Sequence, residues 1–351
     1  MNDRGKLVRW LLILGVLHIA VAAAGFFAPY NPTEQDREHP YLAPMKVRFV
    51  DREGHVHLRP FFYAVRLKDG SFDQFEEDPA QPVSLHFFVS GARYRLLGLL
   101  PGSLHLFGAD GTRLYLLGTD GFGRDQLSRI LYGGQVSLLA GLLGAASTLL
   151  VGTFVGALAG FYGGFRDTVL MRLAELFMAL PWLYLLFALR AFLPLRVPPV
   201  EAFFLIVLVL ATVGWARPAR LVRGIVCSAK ERDFVRAARG FGAGNAYVLR
   251  RHILPETKGV LLTQAALLVP QFVFVEMTLS FLGLGIPEPA ASWGNLLSAL
   301  QQYNVLVSYW WMYLPMLAII PFFVGYQRLA NALHAEEAMA NIEVQAGGSP
   351  S

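Results

Sequence analysis

Apolar positions along this chain fall into long unbroken runs near both ends, with a stretch of short alternating runs between them. The long runs cover residues 10–27, 136–161, 168–189, 199–215, 259–284 and 307–326. At 1.5 Å rise per residue, about 20 apolar residues cross a hydrocarbon core of roughly 30 Å, so the pattern predicts about six spanning helices. Residues 29–129 read differently. KVRFV, HVHLRPFFYAVRL, VSLHFFV, LHLF and TRLYLL are rich in β-branched and aromatic residues and are separated by DREG, KDG and ADG, which predicts strands joined by Gly-containing turns.

The expected architecture is an all-α polytopic membrane protein with an inserted extracytoplasmic β-rich domain between helices 1 and 2. Its parts are an N-terminal transmembrane anchor at 1–28, the β-rich insert and pre-helix segment at 29–129, a transmembrane domain at 130–335, and a loose tail at 336–351. The first run reads either as a signal peptide or as an anchor. Ala22, Ala23 and Ala24 resemble a cleavage region, but an apolar stretch of about 18 residues exceeds the usual core of a signal peptide, which favours an uncleaved anchor.

Composition agrees with the pattern. The chain is 55% hydrophobic and 16% charged, where soluble domains carry roughly 25% charged residues. The net charge of +5 says little; its distribution says more. Arg217, Arg220, Arg223, Lys230, Arg232, Arg236, Arg239, Arg250, Arg251 and Lys258 crowd one segment, while residues 285–304 contain no Lys or Arg. The positive-inside rule then places residues 217–258 and the N-terminal Arg4, Lys6 and Arg9 in the cytoplasm, and the β-rich insert outside. The single cysteine, Cys227, excludes an intrachain disulfide and a multi-cysteine metal site. Basic residues in the insert are interspersed with Asp and Glu, so a nucleic-acid role for the insert has little support.

The chemistry concentrates in RDFVRAARGFGAGNAYVLRRHILP, residues 232–255. Arg232 to Arg239 suits a helix, Gly240 and Gly242 permit a turn with positive φ, Asn245 is placed to cap a second short helix, and Pro255 suits the first turn of the next one. Ala237 and Ala238 leave room for another surface to approach closely. The arginines alone would also fit a loop lying on anionic lipid, or a tethered DNA-binding helix-turn-helix. No GxxxxGK[ST] phosphate loop is present, and GFG at 121–123 and GLG at 283–285 lack the nucleotide-binding setting. Arg172 and Glu175 are spaced to pair on one helix face. Glu276 falls about 25 Å along its helix from Gly259; together with Trp293 and Asn295 it is assigned either to a translocation path or to helix packing. Pro181, Pro270, Pro315 and Pro321 fall in helical runs that neighbours must support. His18 and the pair His55 and His57 are too few for a metal site.

These residues resemble a family: the inner-membrane permease subunits of binding-protein-dependent ABC importers. The family signature, Glu-Ala-Ala, then Gly, then Ile-x-Leu-Pro, is matched at Arg236, Ala237, Ala238, Gly242, His252, Leu254 and Pro255. Arg236 replaces the Glu and His252 the Ile, although RHILP is similar to the form in the peptide and nickel branch. LGTDGFGRDQLSRILYGGQVSL at 117–138 resembles the segment before the second helix of C-type peptide permeases, with Gln135 in place of the usual Arg. DTVLMRLAELFMALP at 167–181 and EMTLSFLGLGIPEPAASWGN at 276–295 are two further similar blocks in the same order. The resemblance covers the anchor and about 117–334, and leaves the β-rich stretch at 41–116 unaccounted for.

What the resemblance implies is a multi-pass permease of the bacterial inner membrane, N-terminus cytoplasmic, forming half of a path for di- and oligopeptides. The partners would be a homologous second permease, two ABC ATPases that bind ATP and Mg, an extracytoplasmic substrate-binding protein and membrane lipid. This chain would be no enzyme and would hold no cofactor, metal or catalytic residue; the signature residues would form the ATPase-coupling loop. A nickel or other small-solute importer shares the same blocks, and a membrane-anchored sensor working through the outer β domain is a reading of another class.

Overall fold

The computed structural model describes residues 3–68, 71, 74–96, 100–181, 184, 187–188 and 198–347. The helices are α1 (Asp3–Ala22), α2 (Ala24–Phe27), α3 (Gln126–Tyr162), α4 (Gly164–Ala179), α5 (Pro199–Gly214), α6 (Ala216–Ala229), α7 (Asp233–Gly240), α8 (Asn245–Val248), α9 (Lys258–Phe281), α10 (Trp293–Ser298), α11 (Tyr303–Ser308) and α12 (Leu314–Gly347). Four strands, β1 (Arg48–Val50), β2 (Val56–Leu67), β3 (Phe75–Leu96) and β4 (Leu100–Ala109), lie between α2 and α3.

Among the described residues, four helical segments are long and apolar enough to cross a membrane: Gly5–Ala22, Gln126–Tyr162, Asn245–Phe281 and Trp310–Glu336. A fifth span is made if α5 and α6 count as one, bent by 45° around Trp215. The remaining expected run, 168–189, begins in α4 and extends onto residues outside the described set. A loose tail was expected from residue 336, but α12 carries on as helix to Gly347.

The chain divides into two compact units, one of residues 1–14, 138–276 and 322–351, the other of residues 15–137 and 277–321. In the first, close packing comes from glycines four apart on α3. A Cβ at Gly152, Gly156 or Gly160 would stand 2.9, 2.3 or 2.8 Å from the carbonyl oxygens of Trp215, Ala219 and Arg223. Bare backbone at those three positions lets α6 lie directly against α3, the small-residue logic of helix pairs in lipid. Ala174 and Phe177 of α4 pack onto the same bend at Trp215, Ala216 and Ala219.

In the second unit the strands form an antiparallel meander, β1-β2-β3-β4. The long β3 pairs with β2 through its first half, Phe61 opposite Ser84, and with β4 through its second, Leu85 opposite Ala109. Phe62, Leu85 and Phe107 meet Leu42, Met45, Leu114 and Tyr115 in its core. Expected strand VSLHFFV is thus the middle of a much longer one. TRLYLL is not a strand: its backbone bonds go elsewhere, the Leu114 N–H to the Tyr30 hydroxyl and the Tyr115 carbonyl to the Met45 N–H. The segment is apolar because it is core, not because it pairs in the sheet.

Candidate functional site

The stretch 232–255 folds as a short helix, a tight turn, a second short helix and a wide turn that leads into α9. Asp233 in the first turn of α7 and Arg239 in its last suit the helix dipole. Val235 is fully buried, whereas Arg236 and Ala237 are exposed. The helix ends at Phe241, and Gly242 takes φ +83°. The Gly242 N–H donates to the Arg239 carbonyl at 2.9 Å and the Ala243 N–H to that of Ala238 at 3.0 Å. This paired closure satisfies the orphan carbonyls of α7 and requires a left-handed residue at position 242. A Cβ there would meet nothing within 4 Å, so the demand for glycine is conformational and not steric.

Asn245 does not cap the second helix. Gly244, extended at φ −70° and ψ 156°, is the capping residue, and Asn245 is the first helical one. Leu249–Ile253 form a wide π-type turn, and Pro255 sits in the first turn of the 3-10 segment Leu254–Thr257. The loop is anchored from below: Val235, Val248 and Ile253 bury against Val222, Val226 and Ala229 of α6 and Ala157 and Phe161 of α3. Arg232 pairs with Glu256 at 2.7 Å and closes its base.

The structure brings Ala238, Gly242 and His252 together around a shallow recess of about 420 Å³, completed by Phe241, Ala243 and Tyr247. Leu254 packs on the buried cluster beneath. Ala237 is exposed beside the recess without lining it. Arg236 extends outward, two-thirds exposed, with Glu231 at 3.8 Å and Asp233 at 3.7 Å. Phe241, 93% exposed, and Tyr247 are rim residues that sequence reasoning missed. The signal was present: an aromatic flanked by glycines in an otherwise polar loop.

The three residues assigned to path or packing are all buried. Glu276 is fully buried on α9. Trp293 is buried, its ring N–H donating to the Ile130 carbonyl at 3.0 Å and its backbone N–H to the Ser137 hydroxyl at 3.1 Å. Asn295 and Ser292 form a reciprocal cap at the start of α10, and the Asn295 amide also reaches the carbonyls of Ile286 and Ala290. Both side chains are thus engaged in hydrogen bonds within their own unit. Arg172 and Glu175 pair at 2.9 Å on an exposed face. His55 and His57 both turn to Asp51; the bond from His57, with the backbone N–H groups of His55 and Glu53, holds the Asp51 carboxyl down at about 2.

A second polar cluster was not foreseen. Asp120 accepts from the backbone N–H groups of Phe122 and Arg124 and from the Arg124 guanidinium at 2.7 Å. Arg124 and Arg129, both almost completely buried, also reach Glu288, at 2.6 and 3.0 Å.

Residues 152–335, just over half of the chain, match the family described as the binding-protein-dependent transport system inner membrane component. This chain belongs to that family. It is 38% identical over 194 residues to the dipeptide transport system permease protein DppC of Bacillus subtilis (strain 168), covering 55% of this chain and 58% of that one. It is likewise 38% identical over 181 residues to the oligopeptide transport system permease protein OppC of the same organism, 52% of this chain and 57% of that one. OppC of Haemophilus influenzae is 38% identical over 184 residues, with the same two coverages. The chain thus spans less than two thirds of the length of these curated relatives. A crystal structure of an amino acid ABC transporter with histidines is similar with a TM-score of 0.43 at 20% identity, covering 60% of this chain and 94% of that one.

Proposed function

We propose that this chain is a permease subunit of an ABC importer and forms half of a membrane path for short peptides. In this reading it pairs with a second, homologous permease, takes peptide from an extracytoplasmic binding protein, and is driven by two ATPase subunits that bind the nucleotide. The N-terminus and residues 232–255 lie in the cytoplasm, the β-rich sheet lies outside, and the run at 168–189 supplies a sixth span. The peptide class is taken from the names of the relatives, which are dipeptide and oligopeptide permease proteins.

The observation that carries the reading is the build of the 232–255 loop. A segment meant only to lie on lipid needs basic residues on a helix face. This one is instead locked to α3 and α6 by buried Val235, Val248 and Ile253, and its outer side presents a recess rimmed by Phe241 and Tyr247. A rigid knob with an exposed aromatic suits docking into a partner groove, where such anchors carry most of the binding energy. Force applied to it by an ATPase would pass directly to α3, α6 and α9.

The test is reconstitution of the complex with Phe241→Asp and Ala237→Trp, both at exposed positions. Stimulated ATP hydrolysis and uptake should fall about tenfold or more, with the permease still folded and monodisperse. Unchanged hydrolysis and uptake in both variants would remove the coupling role.

A further inference from the structure

Arg217 counts, by sequence, among the loop charges that hold residues 217–258 inside. The structure places it in a helix, two residues past the bend at Trp215 and within the bent pair long enough to be a span. It lies about 9 Å further along α6 than Arg223, away from the coupling loop. Its side chain is exposed into a cavity of about 190 Å³ lined by α4, the α5–α6 bend and α9. The walls are apolar, including Phe177, Met178, Leu210 and Phe272, and the polar groups that line it are Arg217 and Gln271. Among the described residues Arg217 makes no ion pair and Gln271 no side-chain hydrogen bond.

A guanidinium within a span is costly and is kept where it serves a cavity or a path. We infer that Arg217 and Gln271 form a recognition site for the C-terminal end of a peptide solute, which rests on the reading of the chain as a peptide permease. The planar guanidinium matches a carboxylate with two parallel hydrogen bonds. Gln271, one carboxamide with a donor and an acceptor, matches the last peptide unit beside that carboxylate. The apolar walls offer no competing hydrogen-bond partner to either contact. A cavity of this size takes one terminal residue, which leaves the length and side chains of the rest of the peptide unspecified.

The complete importer, reconstituted in vesicles, should take up trialanine roughly tenfold faster than trialanine amide, the size of effect of one lost hydrogen bond to a charged group. Binding of each probe to the binding protein is measured separately, and uptake is compared with that protein saturated. Arg217→Gln should lower trialanine uptake to the amide level, and Arg217→Lys, which keeps the charge but loses the two parallel hydrogen bonds, should keep only part of the preference. In the Cys227→Ser, Gln271→Cys double variant, trialanine should shield position 271 from a thiol reagent and the amide should not. Equal uptake of the two probes by the natural chain, or a preference that survives Arg217→Gln, overturns the site and leaves the permease reading standing. Import of neither probe removes the peptide reading and the site with it.

Discussion

The Arg223 guanidinium grips the Asp167 carboxylate with two hydrogen bonds, Nε to Oδ1 at 2.5 Å and Nη2 to Oδ2 at 2.6 Å. This pair ties the start of α4 to α6, whose opposite end carries the cavity at Arg217. It adds a polar tie between the two helices to the apolar packing of Ala174 and Phe177 on Trp215, Ala216 and Ala219.

Asp167→Asn should therefore lower thermal stability by about 1 kcal/mol, the size expected of a partly exposed bidentate pair. The bonds from Arg223 hold the Asp167 carboxyl below the usual range. A depressed folded-state pKa gives stability that is present above the unfolded value, near 4, and is lost as pH falls through the folded one. The difference in melting midpoint between the natural chain and Asp167→Asn, measured in detergent, should be clear at neutral pH and should close below about pH 4. A difference that stays constant with pH would mean that the pair is not what Asn removes.

Gly242→Ala isolates a backbone effect. A side chain at φ +83° with open space around it meets no neighbour, so the cost is that of the left-handed conformation, about 1 kcal/mol. Gly240→Ala is the control: it is helical, equally open, and should be neutral or stabilising by about 0.5–1 kcal/mol. Protease cutting rates within residues 239–245 should rise for the first variant and not for the second. Equal rates would show that the turn does not depend on its left-handed residue.

What could be read from the sequence follows the range of the forces involved. Apolar runs give away helices because lipid leaves no other way to satisfy the backbone. The turn at Gly242 was legible because the closing bonds from residues 242 and 243 reach only three and five positions back along the chain. Asn245 misled because Asn and Gly both serve as caps, and Gly244 stands one position earlier. TRLYLL misled because alternation marks burial and does not reveal the partner; the partners of Leu114 and Tyr115 are Tyr30 and Met45, far back along the chain. Pairs such as Arg223 with Asp167, or Arg129 with Glu288, are 56 and 159 residues apart and leave no local trace. Arg217 was visible only as one more positive charge, since its surroundings are set by three helices.

Asp125 supplies a second pH test, of opposite sign. Its Oδ2 accepts from the Ser128 N–H at 2.8 Å and hydroxyl at 2.6 Å, while Oδ1 has no partner among the described residues. Burial pushes its carboxyl up to about 6. The folded chain then holds the proton more tightly than the unfolded one, so stability falls as pH rises from about 4 to 6 and levels off above. Asp125→Asn keeps an acceptor for Ser128 and removes the buried charge. It should be more stable than the natural chain at pH 7 by up to about 3 kcal/mol, with the advantage gone at pH 4. Melting midpoints at the two pH values decide it; a variant less stable at both would mean that the ionised carboxylate is needed.

The cluster of Asp120, Arg124, Arg129 and Glu288 ranks its own members. Asp120 is almost fully buried and takes three hydrogen bonds, whereas the Glu288 side chain is 47% exposed. Removing a buried partner leaves an uncompensated charge and costs about 3–5 kcal/mol, so Asp120→Ala should approach that range. Glu288→Ala opens its side of the cluster to water, which solvates the two guanidiniums in part, and should cost nearer 2 kcal/mol. The same opening makes Glu288→Ala responsive to a small anion: acetate should restore part of its lost melting temperature by pairing with Arg124 and Arg129, and should do nothing for Asp120→Ala, whose missing carboxylate lies behind both. If acetate stabilises the two variants equally, or neither, the arginines are not held as a pair that faces outward through Glu288.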